Sequence, residues 1–214
     1  MSSFHRGRLI AVEGIDGCGK TTQAKMLSKA LGALLTFEPG ATALGKEIRG
    51  LLLDVSLPHP VARAEALLMA ADRAQHVDEV VRPALEDGKW VVTDRYSGST
   101  LAYQGAGRQL GVAALRQIVE WAADDLAPDL SILLDVPVPL ARRRLASSAP
   151  DRLERLQDDF HERVREGFLS LAAEKDWVVV DGEGDTPQVH DEIMRAVERR
   201  LGLPGSRRFP SEGG

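Results

Sequence analysis

The sequence predicts an α/β fold in which a five-stranded parallel sheet has helices on both faces. Five short apolar runs are distributed through the 214 residues, and the stretches between them have apolar residues at three- and four-residue steps. Strands that are apolar throughout and alternate with amphipathic helices are typical of a parallel sheet that is buried on both faces. The five predicted strands are residues 8–12, 33–37, 90–94, 131–135 and 177–181.

The predicted helices alternate with these strands. Residues 22–31 form the first helix, because apolar side chains recur along one face after a glycine-rich loop. A Glu-Pro-Gly turn that begins at Glu38 then separates the short second strand from the next helix. The remaining predicted helices are residues 43–53, 60–86, 111–124, 153–174 and 187–201.

Three of the predicted strands end in an aspartate: Asp94, Asp135 and Asp181. In parallel sheets the carboxyl ends of the strands share one edge, and ligands bind at that edge. We therefore expect these aspartates to lie beside the glycine-rich loop. For Asp135 and Asp181, a simple role as a helix cap or turn former remains an equal alternative.

The loop between the first strand and the first helix matches the pattern G-x-x-x-x-G-K-[ST] at every fixed position. Its residues are Gly14, Ile15, Asp16, Gly17, Cys18, Gly19, Lys20 and Thr21. Glycines let successive backbone N–H groups point at phosphate oxygens, and the following helix adds its positive dipole end. Lys20 can reach the β- and γ-phosphates, while the Thr21 hydroxyl can bind Mg²⁺. The loop predicts a binding site for a nucleoside triphosphate, with ATP as the expected ligand.

Composition narrows the class of protein further. The formal net charge of −5 argues against a basic nucleic-acid-binding face, so we expect small-molecule partners. The apolar run at the first strand is too short for a signal peptide or membrane span, which favours a cytoplasmic protein without membrane contact. Cys18 is the only cysteine, so no internal disulfide can form. We expect one domain over residues 1–204 and a mobile tail over 205–214.

A second motif indicates the kind of nucleotide protein. The chain contains no asparagine, which excludes the Asn-Lys-x-Asp element that reads guanine in common GTPases. Residues 94–105 read Asp-Arg-Tyr-Ser-Gly-Ser-Thr-Leu-Ala-Tyr-Gln-Gly, and this stretch resembles the D-R-Y-x-x-S-x-x-A-Y-Q signature of the thymidylate kinases. The resemblance extends to about Leu201. It also includes the loop from Glu13, the Glu-Pro-Gly turn, and segments 45–49, 70–76 and 151–154.

The resemblance implies a P-loop nucleoside monophosphate kinase fold with a short lid at about residues 141–152. It also implies transfer of the γ-phosphoryl group of ATP to dTMP, with Mg²⁺ as cofactor and a homodimer as the assembly. Phosphoryl transfer needs several negative phosphates in one cleft, so catalysis rests on positioning and charge neutralisation. The residues to which the resemblance gives catalytic roles are Asp16, Lys20, Asp94, Arg95, Arg144 and Arg152.

Roles in binding the monophosphate come from the same resemblance. Arg95 is similar to the arginine that binds the 5′-phosphate, with Arg49 assisting, and Asp94 is similar to the carboxylate that positions Mg²⁺ together with Thr21. Base and sugar recognition is implied for Arg73, Ser99, Tyr103 and Gln104. Glu38 is expected to reach the water shell of Mg²⁺ or a phosphate-binding arginine.

Three positions depart from common members of the family. Some thymidylate kinases have an arginine at the position of Gly17, so here the transition-state charge must be met from elsewhere. Arg152 is the first candidate and Arg144 the second. We expect Arg155, Arg163 and Arg165 to pair instead with acidic residues on a solvated helix.

The other two departures, Phe37 and Met69, lie where an arginine and a base-stacking phenylalanine are usual. Methionine can cover a ring face, but it gives up aromatic stacking worth roughly 0.5–1.5 kcal/mol.

Two alternatives remain open from the sequence. One is a related P-loop kinase that acts on another nucleoside monophosphate. The other is a catalytically weak nucleotide-binding relative, for which the departures at Phe37 and Met69 leave room.

We predict that Arg152→Ala lowers kcat by at least about 10² and leaves the KM for the monophosphate nearly unchanged. The reason is that an arginine which contacts charge only in the transition state contributes to turnover and not to substrate binding. Steady-state kinetics of the purified variant measures both constants, and wild-type turnover would contradict the role.

Overall fold

The apolar runs form one sheet with strand order β2-β3-β1-β4-β5, in which every neighbouring pair is parallel. The computed structural model describes residues 6–145, 153–154 and 156–203. The strands are β1 (Leu9–Glu13), β2 (Leu34–Phe37), β3 (Val91–Asp94), β4 (Leu130–Asp135) and β5 (Val178–Asp181). The predicted α/β fold with a five-stranded parallel sheet is therefore confirmed.

Helices surround the sheet. They are α1 (Lys20–Leu31), α2 (Ala43–Leu53), α3 (Ala62–His76), α4 (Arg82–Glu86), α5 (Ser97–Thr100), α6 (Val112–Ala122), α7 (Val138–Leu145), α8 (Asp158–Glu174) and α9 (Thr186–Leu201). A π-helical segment, Val77–Val81, joins α3 to α4, so the predicted helix 60–86 is one continuous helical stretch that begins at Ala62 and changes pitch where the π-helical segment begins and ends. None of the helices in the described ranges combines the length and the apolar character that crossing a membrane requires.

The central strand shows how the sheet is buried. All five residues of β1 are buried. Alternate side chains enter two different clusters: Ile10 and Val12 join the larger core, while Leu9 and Ala11 join a smaller one. Because side chains of a strand alternate between its faces, both faces of β1 must be covered by helices. Apolar burial on both faces explains why this strand has no polar-apolar alternation in sequence.

Two helical segments were not predicted. One is α5 with the π-helical continuation Leu101–Gly107, and the other is α7. The first segment was not predicted because its glycines lower helix propensity. In the structure these glycines allow the segment to pack closely against α8. A Cβ at Gly107 would lie 2.7 Å from Phe160, and one at Gly167 of α8 would lie 2.7 Å from Ala106. This close approach of α8 holds the motif of residues 94–105 against the core.

Several predicted segments lie partly outside the described residues. They are the end of the lid, including Arg152, and the tail after residue 203, and Arg155 also lies outside the described residues. Within the expected lid, residues up to 145 form the second half of α7. The helix predicted to begin at residue 153 begins instead at Asp158, where Asp158 and Asp159 occupy the first turn and complement the positive end of the helix dipole.

Candidate active site

The glycine-rich loop connects β1 to α1 at the carboxyl edge of the sheet. Gly14 is required there, because a Cβ at this position would lie 2.6 Å from the carbonyl oxygen of Leu134 and its φ is +146°. The Lys20 side chain is buried and folds back over the loop, donating to the carbonyl of Ile15 (3.1 Å) and approaching Asp16 (3.2 Å). The Lys20 ammonium is thus held over the glycine-rich loop, where a bound phosphate chain would need a cation.

Thr21 and Asp94 lie together beside this loop. The Thr21 hydroxyl donates to Oδ2 of Asp94, and Oδ1 of the same carboxylate is buried without a hydrogen-bond partner. Mg²⁺ binds oxygen ligands and usually keeps several waters, so one hydroxyl and one carboxylate fit it. In the described ranges no group of three or more His, Cys, Asp and Glu side chains is arranged to hold a metal ion. Any metal here would need ligands from substrate and water as well.

Arg95 connects the loop to the motif that follows β3. Its backbone has φ +73°, which is unusual for a residue other than glycine. The guanidinium pairs with the Asp16 carboxylate and donates to Ser99 Oγ (3.1 Å) and Tyr103 Oη (3.2 Å). Burial alone would raise the pKa of Asp16, but Arg95 and Lys20 hold it well below its usual range. Asp16 is therefore an anion that holds both cations in place.

A cavity opens on the other side of Arg95, and we call it the Arg73 cavity. The empty space it encloses is about 540 Å³ when the open mouth is included. Its wall contains every residue to which the resemblance gave a role in binding the monophosphate: Glu38, Arg49, Met69, Arg73, Arg95, Ser99, Tyr103 and Gln104. The structure thus brings together residues from four separate parts of the sequence. Their individual roles stay predictions.

Arg73 is fixed inside this cavity and keeps one free donor. Its guanidinium donates to Glu38 Oε2 (2.7 Å), to the carbonyl of Tyr96 (2.9 Å) and to Thr100 Oγ1 (3.1 Å). Its Nη1 is buried without a partner. An unpaired buried donor is costly unless a ligand supplies an acceptor. The orientation of Arg73 therefore suits a ligand carbonyl in the cavity.

Glu38 supports Arg73 inside the cavity. The hydrogen bonds of its carboxylate go to Arg73 and to Nδ1 of His76 (2.9 Å), whose Nε2 lies 2.7 Å from Thr36 Oγ1. Burial would raise the pKa of Glu38, but Arg73 and His76 keep it below its ordinary value. Glu38 also lines the groove beside Lys20 and Asp94, so its expected reach to the water shell of Mg²⁺ or to a phosphate-binding arginine stays a prediction.

Arg49 and the two departures from the family pattern lie at the mouth of the site. Arg49 donates to the carbonyl of Pro39 (2.8 Å) and lines both the Arg73 cavity and the groove beside Lys20. Phe37 lies in that groove and is 43% exposed, whereas Met69 lines the Arg73 cavity. Met69 is thus placed where it can cover a planar ligand.

The arginines near the expected lid have other contacts. Arg144 donates to the carbonyl of Gly182 (2.9 Å), in the turn after β5. In this conformation it braces that turn against α7. The guanidinium of Arg165 forms two hydrogen bonds with Asp135 (2.7 and 2.8 Å), and Arg163 donates to the carbonyl of Gly107. We expected Arg163 and Arg165 to pair with acidic residues of their own helix, and that expectation was wrong.

Asp135 and Asp181 have structural contacts at the strand ends. Asp135 pairs with Arg165 of α8. Asp181 accepts a hydrogen bond from the backbone N–H of Glu183 (2.8 Å), two residues further along the chain. Such a contact is typical of an aspartate that forms a turn. Asp181 is therefore a turn former, which was one of the two alternatives that the sequence left open for it.

Glu13 is a buried residue whose role sequence reasoning missed. Its carboxylate accepts from the backbone N–H groups of Tyr96 (3.1 Å) and Ser99 (3.2 Å), and from the Ser99 hydroxyl (2.6 Å). Burial raises its pKa to about 7, although Ser99 and Arg95 act in the opposite direction. Glu13 anchors the start of α5 and, through Ser99, the guanidinium of Arg95. In the sequence, Glu13 was distinguished only by its position directly before the glycine-rich loop.

A triphosphate loop and an adjoining cavity, joined by one arginine at the carboxyl edge of this sheet, define a P-loop nucleoside monophosphate kinase. Residues 12–193 match the family model described as thymidylate kinase, and the chain belongs to that family.

Individual relatives agree with this assignment. A thymidylate kinase of Carboxydothermus hydrogenoformans is 46% identical over 90% of this chain and 98% of its own. One from Leifsonia xyli subsp. xyli is 46% identical over 91% and 96%, and one from Prochlorococcus marinus strain NATL1A is 40% identical over 92% and 98%.

We predict that Glu13→Gln changes how stability depends on pH. The folded-state pKa of Glu13, about 7, lies above its ordinary value of 4.5, so the folded state retains the proton. This contribution to stability is complete below the lower value and is lost as pH rises through about 7. Relative to Glu13→Gln, the wild-type free energy of unfolding should fall by roughly 2–3 kcal/mol between about pH 5 and pH 8.

Urea unfolding of both proteins across this range measures the difference. Exposed Glu47 provides a matched control, since Glu47→Gln should give a curve parallel to that of the wild type. A parallel curve for Glu13→Gln would show that Glu13 does not titrate as described.

Proposed function

We propose that this chain transfers the γ-phosphoryl group of ATP to dTMP, forming ADP and dTDP for the synthesis of dTTP. The observation that carries this proposal is the position of Arg95. Its guanidinium contacts Asp16 of the triphosphate loop while lining the Arg73 cavity. A single cation therefore lies between a donor phosphate chain and a 5′-phosphate, where negative charges must be brought together for transfer.

The ATP site consists of the glycine-rich loop and the two side chains beside it, Thr21 and Asp94. The backbone N–H groups and Lys20 hold the phosphates of ATP, and Thr21 with Asp94 would hold Mg²⁺. When bound, Mg²⁺ neutralises charge on the transferring phosphates. The buried, unpartnered Oδ1 of Asp94 supports this assignment.

The 5′-phosphate of dTMP would accept hydrogen bonds from Arg95, which in this structure pairs with Asp16. Arg95 offers a planar guanidinium that can donate two hydrogen bonds to one phosphate, and Arg49 adds a second positive charge at the mouth. Asp16 pairs with Arg95 and keeps the guanidinium aimed at the loop. Arg152, outside the described residues, is the proposed source of transition-state charge, with Arg144 second.

Base recognition follows from the donors and acceptors of the cavity. Arg73 Nη1 would donate to O4 of thymine, and the Gln104 amide oxygen would accept from N3–H. Met69 covers the ring face, and Tyr103 lies beside the deoxyribose, where it would crowd a ribose 2′-hydroxyl. Tyr103 is held by its hydroxyl on Asp16 (2.7 Å) and by an edge contact with the ring of Phe168 (centroids 6.0 Å apart).

A second proposal concerns assembly, which we take to be a cytoplasmic homodimer formed through α2, α3 and α6. These helices pack on one another in the order α2, α3, α6. They and the loop after α2 carry large apolar side chains that are at least half exposed: Leu44, Leu51, Val55, Val61, Leu67 and Trp121. Neighbouring apolar groups of this size are typical of protein contact surfaces. A second copy would cover them.

A coupled ADP-release assay with Mg-ATP against dTMP, dUMP, dCMP, AMP and GMP tests the reaction. We expect the highest kcat/KM for dTMP, with dUMP lower by about 10- to 100-fold, because a pocket reads one methyl group for only about 1–3 kcal/mol. Lys20→Met is the control for contaminating kinases and should abolish the signal. Preference for another monophosphate would favour a related kinase, and no turnover with any would favour a nucleotide-binding relative.

Analytical ultracentrifugation tests the assembly at micromolar concentration. The wild type should sediment at twice the chain mass of 23.2 kDa. Leu67→Arg should sediment at the single-chain mass, because a charge would be buried in the contact. Val179→Arg is the matched control, since Val179 is similarly exposed (49%, against 58% for Leu67) but lies on β5. A wild-type monomer, or a dimeric Leu67→Arg variant, would contradict this interface.

A further inference from the structure

We propose that Glu65 is a positioning residue that sets base specificity by fixing the orientation of the Gln104 amide. This inference rests on the proposed reaction with dTMP. Glu65 lies in the first turn of α3 and is 2% exposed, and Gln104, in the π-helical segment after α5, is 1% exposed. The two residues are separated by 39 positions and meet only through the fold.

The Glu65 carboxylate is held on both oxygens. Oε1 accepts from Gln104 Nε2 (2.8 Å) and Arg108 Nε (3.2 Å), and Oε2 accepts from Arg108 Nη2 (2.8 Å). The Arg108 guanidinium in turn lies 5.2 Å from the centre of the Phe160 ring. With both oxygens already accepting from N–H donors, and with Arg108 paired to it, the carboxylate faces Gln104 as an acceptor and is held in that orientation.

Only one orientation of the Gln104 amide is compatible with this carboxylate. An ionised carboxylate only accepts hydrogen bonds, whereas an amide has a donor end and an acceptor end. The reverse orientation would place the amide oxygen against a carboxylate oxygen, bringing together two acceptors in a buried site. Nε2 must therefore face Glu65. The amide oxygen is the end that remains for the Arg73 cavity, which Gln104 lines.

This fixed orientation distinguishes bases by their hydrogen-bonding pattern. Arg73 and Gln104 both line the cavity, and the groups they keep for a ligand are a donor, Arg73 Nη1, and an acceptor, Gln104 Oε1. Thymine and uracil present the complement, a carbonyl at O4 and a donor at N3–H. Cytosine presents the reverse, an amino group and an unprotonated N3. It would be accommodated at Gln104 only if the amide turned over, which Glu65 prevents.

The test compares Glu65→Gln/Arg108→Gln with Arg108→Lys. In the double variant residue 65 can donate as well as accept, so Gln104 is free to turn, and no unpaired buried charge remains. We expect the ratio of kcat/KM for dTMP to that for dCMP to fall at least about tenfold in the double variant. In Arg108→Lys, where a cation still pairs with Glu65 and Glu65 still accepts from Gln104, the ratio should stay within about twofold of wild type.

A folded double variant that keeps the wild-type ratio would overturn the role of Glu65. Thermal unfolding checks the fold of each variant. If the double variant does not fold, Glu65→Gln and Glu65→Asp give the same comparison, since aspartate accepts only and should keep the ratio. A wild-type chain without dTMP turnover would instead overturn the proposed reaction, so the two failures are distinguishable.

Discussion

The site depends on the contact between Arg95 and Asp16. This ion pair joins the loop after β1 to the motif after β3, two segments that are 79 residues apart. Arg95 adopts a backbone conformation with φ +73°, which costs free energy in a residue other than glycine. That cost is offset by a buried network in which Glu13 fixes Ser99, Ser99 contacts Arg95, and Tyr103 contacts both members of the pair. Because the network is continuous, the distance between the triphosphate loop and the Arg73 cavity is set before substrate binds.

Three buried glutamates share one physical task. Glu13 orients Ser99 and the start of α5, Glu38 orients Arg73, and Glu65 orients Gln104. Each is an acceptor whose donors have no alternative in a dry interior, so each fixes the direction of a side chain that lines the cavity. Their surroundings differ in charge. Glu38 is stabilised as an anion by Arg73, whereas burial outweighs the nearby cations at Glu13 and raises its pKa.

Sequence patterns predicted the sheet well and the site in part. The strands were found within about one residue, because apolar runs at fixed spacing report burial on both faces directly. The loop was found because phosphate binding restricts residue type at each position. Glu65 had no such signal, since its contact with Gln104 crosses 39 positions and exists only after α3 packs beside the π-helical segment. The pairing of Arg165 with Asp135 was missed for the same reason.

The absence of an arginine at Gly17 follows from packing as well as from backbone conformation. Gly17 has φ +82°, and a Cβ there would lie 2.3 Å from the carbonyl oxygen of Ala141 in α7. Any side chain at this position would therefore have to displace α7. Arg144, on the same helix, is directed at the turn after β5. Among the described residues, Lys20, Arg95 and Arg144, which also donates to the Cys18 carbonyl (3.5 Å), are thus the cations held beside the loop, and Arg152 stays the predicted source of further charge on the transferring group.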